Sequence, residues 1–477
     1  MKKILPLICT CIISLTVSAQ EVVNAEDQGV ISRTLLGLVL PFSPQYDVES
    51  FKITYTTTDA FGQPDTATGL LSLPSQDALV LPVALYNHGT IASADLAPSV
   101  PGVRERFAVQ GLAGSGFIAL APDYLGLGDS DGIHPYLHAE TEARAGRDMI
   151  IAVKRWLDAQ DIRDNDQLFV TGYSQGGHAS MALARSLENN GADDGLELTA
   201  AAHLSGVYDI TPPSPGILVQ DNPNQVLLSF FLNTVISYNY VYNLYGTPAQ
   251  LFNEPYLTEV QKYIDRETDL YSMGSAVYDS LRANEARVGE IFVDQFVTDV
   301  LDDNPDLLAA YNDNDLLDYV PSVPTLLYYC DADETVNPQN SILTAELFIE
   351  NGADSILLEN GGNLSHSNCA IPALVRALQF FQGFSSSFPV SLGEPAEQPE
   401  IVLSPNPVRA GSRLAIDGLP DEASEFVVYD FSGRGVVSGR TSSNQTIKLP
   451  SSLDIGTYIL RVGLEDGTSL VRRFQVR

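Results

Sequence analysis

The chain has 477 residues, which is more than one ordinary hydrophobic core needs and predicts roughly two or three domains. Its hydrophobic fraction of 44% excludes a largely disordered protein. Its formal net charge of −34 argues against nucleic acid as a partner and indicates a surface that stays soluble in salt.

The N-terminus has the pattern of a secretory signal peptide. Lys2 and Lys3 precede an apolar run at residues 4–17, and Ala19 precedes the expected cleavage site. The apolar run is shorter than a membrane-spanning helix requires. We therefore predict residues 1–19 as a signal peptide and the remainder as an exported protein.

The middle of the chain alternates between strand and helix patterns. Residues 51–74 predict a hairpin, and the nearly continuous apolar runs that follow are typical of strands buried on both faces of a parallel sheet. Strands are predicted at 79–86, 116–121, 168–172, 198–204, 322–330 and 355–358. We predict an α/β fold with a doubly wound, mostly parallel sheet.

One helix stands out within this alternation, at residues 138–157. Ala145, Met149 and Val153 form its apolar stripe, whereas Glu142 and Asp148 lie off the stripe. The sequence therefore predicts a helix that packs one face on the sheet.

The alternation breaks at residues 210–319, which contain no buried-strand pattern and an aromatic-rich run at 226–245. Asn233, Asn239 and Asn243 interrupt this run, which argues against a membrane span. Helix-compatible segments lie at 257–269, 277–289 and 290–301. We predict a helical cap inserted into the sheet domain, whose aromatic side chains form either the core of the cap or an apolar wall that faces an acyl chain.

The central motif is Gly172-Tyr173-Ser174-Gln175-Gly176. A β-branched and aromatic segment precedes it and a helical pattern follows it, so the motif predicts a strand, a sharp turn and a helix. Glycine is needed two residues on either side of Ser174, since strand and helix pass too close for a Cβ atom. Ser174 would then be an exposed nucleophile, and the Gln175 N–H would face a developing oxyanion. An ordinary glycine-rich loop is the alternative.

A serine nucleophile needs an imidazole to take its proton and a carboxylate to orient that imidazole. In this architecture the acid and then the histidine follow the serine, which leaves His178, His203 and His366. His178 lies one turn along the serine's helix and faces away from the substrate, and His203 lies inside a strand as a core residue. We predict His366, in a polar loop before a helix at 371–381, as the base.

The acid is expected directly after the strand that ends at Cys330. Asp333 has the expected spacing, three residues past Cys330 and three before Val336, and Asp331 is the alternative. A structural role for either carboxylate stays open.

A second oxyanion donor is expected from the loop that follows the 79–86 run. His88, Gly89 and Thr90 supply backbone N–H groups there. We predict that Gly89, Thr90 and Gln175 form the oxyanion hole and that His88 orients the loop. This chemistry needs no metal and no organic cofactor.

Two cysteines, Cys330 and Cys369, remain once the signal peptide has been removed. Each stands three residues from a predicted catalytic residue, and an even pair in an oxidising compartment is predicted to be bridged. The disulfide would tie the acid loop to the histidine loop, and two buried thiols are the alternative.

Four segments together resemble the α/β-hydrolase superfamily, and specifically its secretory lipase group. They are Asn87-His88-Gly89-Thr90, Pro122-Asp123-Tyr124-Leu125-Gly126-Leu127-Gly128, His134-Pro135-Tyr136-Leu137 and Gly172-Tyr173-Ser174-Gln175-Gly176-Gly177. The resemblance covers residues 51–384 and implies a Ser-His-Asp carboxylic ester hydrolase, a lipase or esterase, with a helical cap over an acyl pocket. Cys330 departs from the many relatives that carry glycine there.

The C-terminal part has a different composition. Residues 385–401 are rich in Ser, Pro, Gly and Glu and predict a linker, and short alternating segments over 402–477 predict a small β-sandwich. The motifs there are Ser404-Pro405-Asn406-Pro407, Val428-Tyr429-Asp430-Phe431-Ser432-Gly433-Arg434 and Leu453-Asp454-Ile455-Gly456-Thr457-Tyr458-Ile459-Leu460-Arg461-Val462. They resemble the type A sorting domain of type IX secretion, which implies that outer-membrane secretion machinery releases the protein or attaches it to the cell surface.

The predicted organisation is a signal peptide at 1–19, a hydrolase domain at 20–384 with its cap at 210–319, a linker at 385–401 and a sorting domain at 402–477. The predicted function is a secreted serine ester hydrolase that acts on small-molecule or lipid esters. Alternatives are an esterase that removes acetyl or feruloyl groups from polysaccharide, a serine peptidase, and a non-catalytic surface binding protein on the same fold.

The acidic pairs Asp302-Asp303 and Asp313-Asn314-Asp315 form either a calcium site or a solvated face.

Overall fold

The computed structural model describes residues 20–75, 80–385, 401–418, 425–429, 435–440, 446–453, 455–463 and 469–477. The predicted signal peptide at 1–19 and nearly all of the predicted linker, 386–400, lie outside the described residues. So do residues 430–434 and Asp454 of the C-terminal motifs.

A nine-stranded sheet forms the centre of the larger part. Its strands are β1 (Val22–Ile31), β2 (Val48–Thr58), β3 (Pro64–Pro74), β4 (Leu81–Asn87), β5 (Ile118–Pro122), β6 (Asp164–Tyr173), β7 (Leu198–Leu204), β8 (Thr325–Tyr329) and β9 (Ile356–Asn360). They lie in the order β1-β2-β3-β5-β4-β6-β7-β8-β9, and every pair from β5 to β9 is parallel. β1, β2, β3 and β5 pair antiparallel. The predicted mostly parallel α/β sheet is confirmed.

Helices lie on both faces of this sheet. They are α1 (Arg33–Val39), α2 (Arg106–Gly114), α3 (Ala139–Ala159), α4 (Gln175–Asn190), α11 (Gln339–Glu350) and α12 (His366–Gln382). Successive residues of a strand point to opposite faces. Val83 and Leu85 of β4 thus belong to the core beneath α3, α4 and α11, and Ala84 and Tyr86 belong to the core beneath α2 and α12. This double burial explains why β4 is apolar along its whole length.

Between β7 and β8 the chain leaves the sheet and forms a second group of helices, which we call the inserted helices. They are α5 (Pro215–Leu218), α6 (Gln225–Tyr242), α7 (Tyr256–Ile264), α8 (Leu270–Ala283), α9 (Asp294–Leu301) and α10 (Pro305–Asn312). The insertion begins and ends at one place, where Leu316 N–H donates to the Tyr208 carbonyl at 3.0 Å and Ile210 N–H donates to the Asp315 carboxylate at 3.3 Å.

The aromatic-rich run at 226–245 lies mainly on α6. Leu232 and Tyr238 are buried in the core of the inserted helices, and Asn233 and Asn239 accept hydrogen bonds from Tyr263 and the Tyr245 N–H. Within the described part of the chain, no helix is both long and apolar enough to cross a membrane. The run therefore contributes to the core of this helical group.

Two predicted helix boundaries in this region are wrong. The segment expected at 277–289 starts at Leu270, because the Asp269 side chain accepts the N–H groups of Tyr271 and Ser272 and so caps α8 there. The segment expected at 257–269 ends at Ile264, where α7 stops.

The C-terminal part forms two antiparallel sheets, as predicted. Its strands are β10 (Val402–Ser404), β11 (Arg413–Asp417), β12 (Glu425–Tyr429), β13 (Gly435–Arg440), β14 (Thr446–Lys448), β15 (Gly456–Gly463) and β16 (Ser469–Val476). The sheet orders are β10-β11-β14 and β13-β12-β15-β16. Leu414, Ile416, Val428, Leu460 and Phe474 contribute to a shared apolar core.

Three buried histidines are held neutral by the fold. Burial lowers the pKa of His134 and of His138, which lie just before and at the start of α3, to about 4. Burial likewise lowers the pKa of His203, on β7, to about 3. In each case the charged imidazolium loses more hydration than the neutral ring does.

We expect acid to destabilise the protein through these histidines. The unfolded chain takes up their protons near about pH 6.5, whereas the folded chain does not do so until about pH 4, so the free energy of unfolding falls as pH falls between these values. Urea unfolding at several pH values in this window measures the slope. His203→Gln should reduce the slope of the unfolding free energy against pH. An unchanged slope in this variant would contradict the inference that His203 is buried in its neutral form.

Candidate active site

Ser174 forms the turn between β6 and α4. β6 ends at Tyr173 and α4 begins at Gln175, so the turn is made at Ser174, with φ 61° and ψ −121°. A Cβ atom at Gly172 would lie 2.0 Å from the Gly176 carbonyl oxygen, and one at Gly176 would lie 2.0 Å from the Asn87 carbonyl oxygen. Only glycine fits at either position.

The structure brings the side chains of Ser174, His366 and Asp333 together. His366 Nε2 is 2.8 Å from Ser174 Oγ, and His366 Nδ1 is 2.7 Å from Asp333 Oδ2. The Asp333 side chain is 1% exposed, and its other oxygen accepts the N–H groups of Thr335 and Val336. A carboxylate held in this way fixes the proton on Nδ1 and leaves Nε2 free to accept one from Ser174.

Parallel strands carry these three residues to one edge of the sheet. Ser174 follows β6, Asp333 follows β8 and His366 follows β9. His366 does not lie in a loop as predicted but is the first residue of α12. The helix starts five residues before the predicted start at 371, which is therefore wrong. Pro372, a residue typical of a first helical turn, lies in the interior of this helix.

Of the acidic residues that follow β8, Asp333 is the one that faces the imidazole. The Asp331 carboxylate instead accepts a hydrogen bond from Asn360 Nδ2 at 2.9 Å. Glu334 accepts the backbone N–H of His366 at 3.0 Å, and Tyr173 OH donates to the His366 carbonyl at 2.5 Å. Sequence reasoning missed the contacts of Tyr173 and Glu334 with His366, which depend on long-range packing.

The Cys330–Cys369 disulfide is present, with Cα atoms 6.2 Å apart. It joins the end of β8 to the first turn of α12, and both residues are buried. For a sequence separation of 39, the reduced entropy of the unfolded chain contributes about 4 kcal/mol to stability. The bridge thereby restrains the two segments that carry Asp333 and His366.

The loop at 88–90 passes beside Ser174. A Cβ atom at Gly89 would lie 3.2 Å from the Tyr173 carbonyl oxygen and 3.6 Å from Ser174 Cβ. His88 is buried, and its Nδ1 is 2.7 Å from the Gly89 carbonyl oxygen. Thr90 Oγ1 is 2.9 Å from Tyr136 OH. The structure thus brings the predicted oxyanion loop close to the serine.

Gln175 is the first residue of α4, so its N–H has no carbonyl partner within the helix. Its side chain donates from Nε2 to Glu142 Oε1 at 2.8 Å, and the same nitrogen is 2.8 Å from His134 Nε2. Glu142, expected off the apolar stripe of α3, is buried because Gln175 and His178 of α4 pack against it.

The two excluded histidines have other partners. His178 Nδ1 is 2.7 Å from Glu142 Oε2, and its Nε2 is 3.0 Å from the Asn314 carbonyl oxygen. His203 Nδ1 is 2.8 Å from Ser180 Oγ. Both rings are therefore engaged away from Ser174.

The predicted acidic pairs do not gather into a metal site. Asp313 accepts a hydrogen bond from Tyr242 OH at 2.7 Å, and Asp315 accepts the N–H groups of Ile210 and Leu317. Among the described residues, no group of three His, Cys, Asp or Glu side chains is arranged to hold a metal ion.

A family model described as secretory lipase matches residues 100–383. No curated protein matches the chain in sequence. Among solved structures, a putative hydrolase from Legionella pneumophila has a TM-score of 0.66 at 23% identity, covering 76% of this chain and 98% of that chain. The rice cell wall degrading esterase LipA from Xanthomonas oryzae has a TM-score of 0.62 at 25% identity, covering 76% and 95%. Candida antarctica lipase A has a TM-score of 0.57 at 16% identity, covering 78% and 83%.

The matched segment spans more than half of the chain and contains Ser174, Asp333 and His366. The mostly parallel sheet is that of the α/β-hydrolase fold, which these solved structures share. The protein is a carboxylic ester hydrolase, and the chain belongs to the secretory lipase family.

Proposed function

We propose that the protein is an exported serine ester hydrolase in which Ser174, His366 and Asp333 cleave acyl esters through an acyl-enzyme. The observation that carries this proposal is the pair of hydrogen-bond contacts, 2.8 Å and 2.7 Å, that runs from Ser174 through His366 to Asp333. Acyl transfer by serine needs such a relay, in which nucleophile, base and orienting acid are in line.

In the first half of the proposed reaction, Ser174 Oγ attacks the ester carbonyl carbon while His366 Nε2 takes the serine proton. Asp333 keeps the ring in the correct orientation and stabilises the imidazolium that forms. The N–H groups of Gln175 and Thr90 donate to the oxyanion, and Gly89 lets the backbone approach it. His366 then passes its proton to the leaving alcohol.

In the second half, water enters and gives a proton to His366 Nε2 as its oxygen attacks the acyl carbon. Collapse of the second oxyanion releases the acid and returns the proton to Ser174 Oγ. We propose Asp333 rather than Asp331 as the acid, because Asp333 approaches His366 Nδ1 whereas Asp331 is engaged with Asn360.

We propose acyl esters with an apolar chain as the substrates, whether lipids or small molecules. The inserted helices offer apolar surface for such a chain: Val226 and Leu227 are exposed at the start of α6, and Phe230 is half-buried against Tyr271. The second candidate is an ester carried by polysaccharide, which the likeness to the rice cell wall degrading esterase supports.

We propose that export follows the organisation predicted from the sequence: a signal peptide at 1–19, a hydrolase domain at 20–384 with its cap at 210–319, a linker at 385–401 and a type IX sorting domain at 402–477. The secretory description of the family and the two antiparallel C-terminal sheets support this proposal. Outer-membrane secretion machinery would be the partner of the C-terminal domain.

Ser174→Ala is the direct test of the proposed nucleophile. We expect kcat on a soluble ester to fall by at least about 10⁴-fold, because the variant lacks the hydroxyl on which the acyl-enzyme would form. Ser180→Ala, which removes the hydroxyl beside His203, is the matched control and should keep its activity. A fluorophosphonate probe should label the wild type at Ser174, and labelling of the Ser174→Ala protein would contradict the proposal.

Asp333→Asn should lower kcat by about 10⁴-fold, because the amide favours the tautomer that cannot accept the serine proton. Asp331→Asn is the matched control, since its side chain bonds to Asn360, and its kcat should stay within about twofold of the wild type. Steady-state kinetics on one ester measures both effects. The reverse ranking of the two variants would make Asp331 the acid.

Activity against p-nitrophenyl esters from acetate to palmitate separates the two substrate candidates. Each methylene that becomes buried in an apolar site contributes about 0.8 kcal/mol, so we expect kcat/KM to rise beyond butyrate. Release of acetate or ferulate from cell-wall polysaccharide is the comparison assay. A flat or falling series beyond butyrate, with rapid release from polysaccharide, would favour the second candidate.

A further inference from the structure

A buried carboxylate lies behind the turn that carries Ser174. The Glu142 side chain, on α3, is 1% exposed, and the adjacent His178 side chain is fully buried. Acidic side chains are rarely buried to this extent unless they are paired and hydrogen-bonded. The two oxygens of Glu142 have different partners, and one of these is the residue that follows the serine.

Glu142 Oε1 holds the side chain of Gln175, whose backbone N–H is the proposed oxyanion donor. The other hydrogen of the Gln175 amide points to His134 Nε2, since that nitrogen is 2.8 Å away. His134 Nδ1 is 2.9 Å from the Leu125 carbonyl oxygen, which can only accept, so Nδ1 carries the ring proton and Nε2 accepts from Gln175. Both amide hydrogens of Gln175 are thus engaged, and its side chain has a single orientation.

The same carboxylate oxygen is also connected, through Leu137 and Tyr136, to the side chain of Thr90, the residue that carries the second proposed donor. Leu137 N–H donates to Glu142 Oε1 at 3.2 Å. One residue earlier, Tyr136 OH is 2.9 Å from Thr90 Oγ1. The start of α4, which carries Gln175, and the loop that carries Thr90 are therefore connected through one carboxylate.

Glu142 Oε2 is fixed by His178. His178 Nε2 faces the Asn314 carbonyl oxygen, which only accepts, so Nε2 carries a hydrogen. The 2.7 Å contact between His178 Nδ1 and Glu142 Oε2 is a hydrogen bond, and it fixes this oxygen against the ring. The Asn314 side chain accepts Ala139 N–H at 2.8 Å, which ties this pair to the start of α3.

We propose that Glu142 is a positioning residue for the oxyanion hole. It holds Gln175 directly and Thr90 through the segment 134–137, so that both N–H groups are aimed at the reacting carbonyl oxygen before the ester binds. Donors fixed in advance stabilise the developing charge without further reorganisation. This inference rests on the proposed function.

Three variants test the inference. Glu142→Ala removes the contacts with Gln175, Leu137 and His178 and should lower kcat about ten- to hundredfold while KM stays within about threefold. Glu142→Gln should recover most of the loss, because its amide oxygen still accepts from Gln175 and its NH₂ group donates to His178 Nδ1. Asp148→Asn is the matched control. Asp148 is a buried carboxylate on the same helix that accepts from Thr57 and Gln20, and its variant should keep the wild-type kcat.

A trifluoromethyl ketone inhibitor supplies a readout that a merely structural role would not change. It adds to the serine and forms an oxyanion, so its inhibition constant should rise in Glu142→Ala by the factor by which kcat/KM falls. Rates are expressed per site labelled by fluorophosphonate, so that inactive protein is not counted. An unchanged inhibition constant with wild-type kcat would overturn the proposal, as would a Glu142→Gln variant as damaged as Glu142→Ala.

Gln175→Met keeps the test decisive if Glu142→Ala does not fold. This change removes the side-chain amide and leaves the backbone N–H, and it should reproduce the loss of kcat together with the rise in the inhibition constant. Unchanged values would overturn the inference. Failure of the proposed function would look different from failure of this inference. In that case Ser174→Ala would retain activity and the fluorophosphonate probe would label a different residue.

Discussion

The close approach of strand β6 to helix α4 is the constraint on which the site depends. Neither Gly172 nor Gly176 can carry a side chain, since a Cβ atom at either would collide with a carbonyl oxygen. The turn between them lies at Ser174, whose φ of 61° is uncommon for any residue except glycine. Packing of the strand and helix on either side maintains this conformation and presents the serine hydroxyl at the carboxyl edge of the sheet.

Sheet topology then supplies the partners of the serine. His366 and Ser174 are 192 residues apart in sequence, yet β6, β8 and β9 run parallel and end at the same edge. The Cys330–Cys369 bridge joins the segments that carry Asp333 and His366. The His366 imidazole is thus restrained through the backbone as well as through its ring contact with Asp333.

Much of the sheet, and the residues that meet at its edge, could be predicted because their signals are local: buried apolar runs and glycines that flank a serine. Strand β1 gives no such signal, since it has no fully buried residue and no apolar alternation. Glu142 could not be predicted for the opposite reason. Helical periodicity places it on the polar side of α3, but α4 and the segment 134–137 cover that side in the folded chain.

The insertion between β7 and β8 leaves and re-enters the sheet domain through a closed neck, where Tyr208 and Ile210 meet Leu316 and Asp315. The entropy of closing a loop changes only slowly with the number of residues that it contains. The number of residues in the module above the neck can therefore change at little cost in the entropy of closing it. The elements that carry Ser174, Asp333 and His366 lie outside this module, before residue 205 or after residue 324.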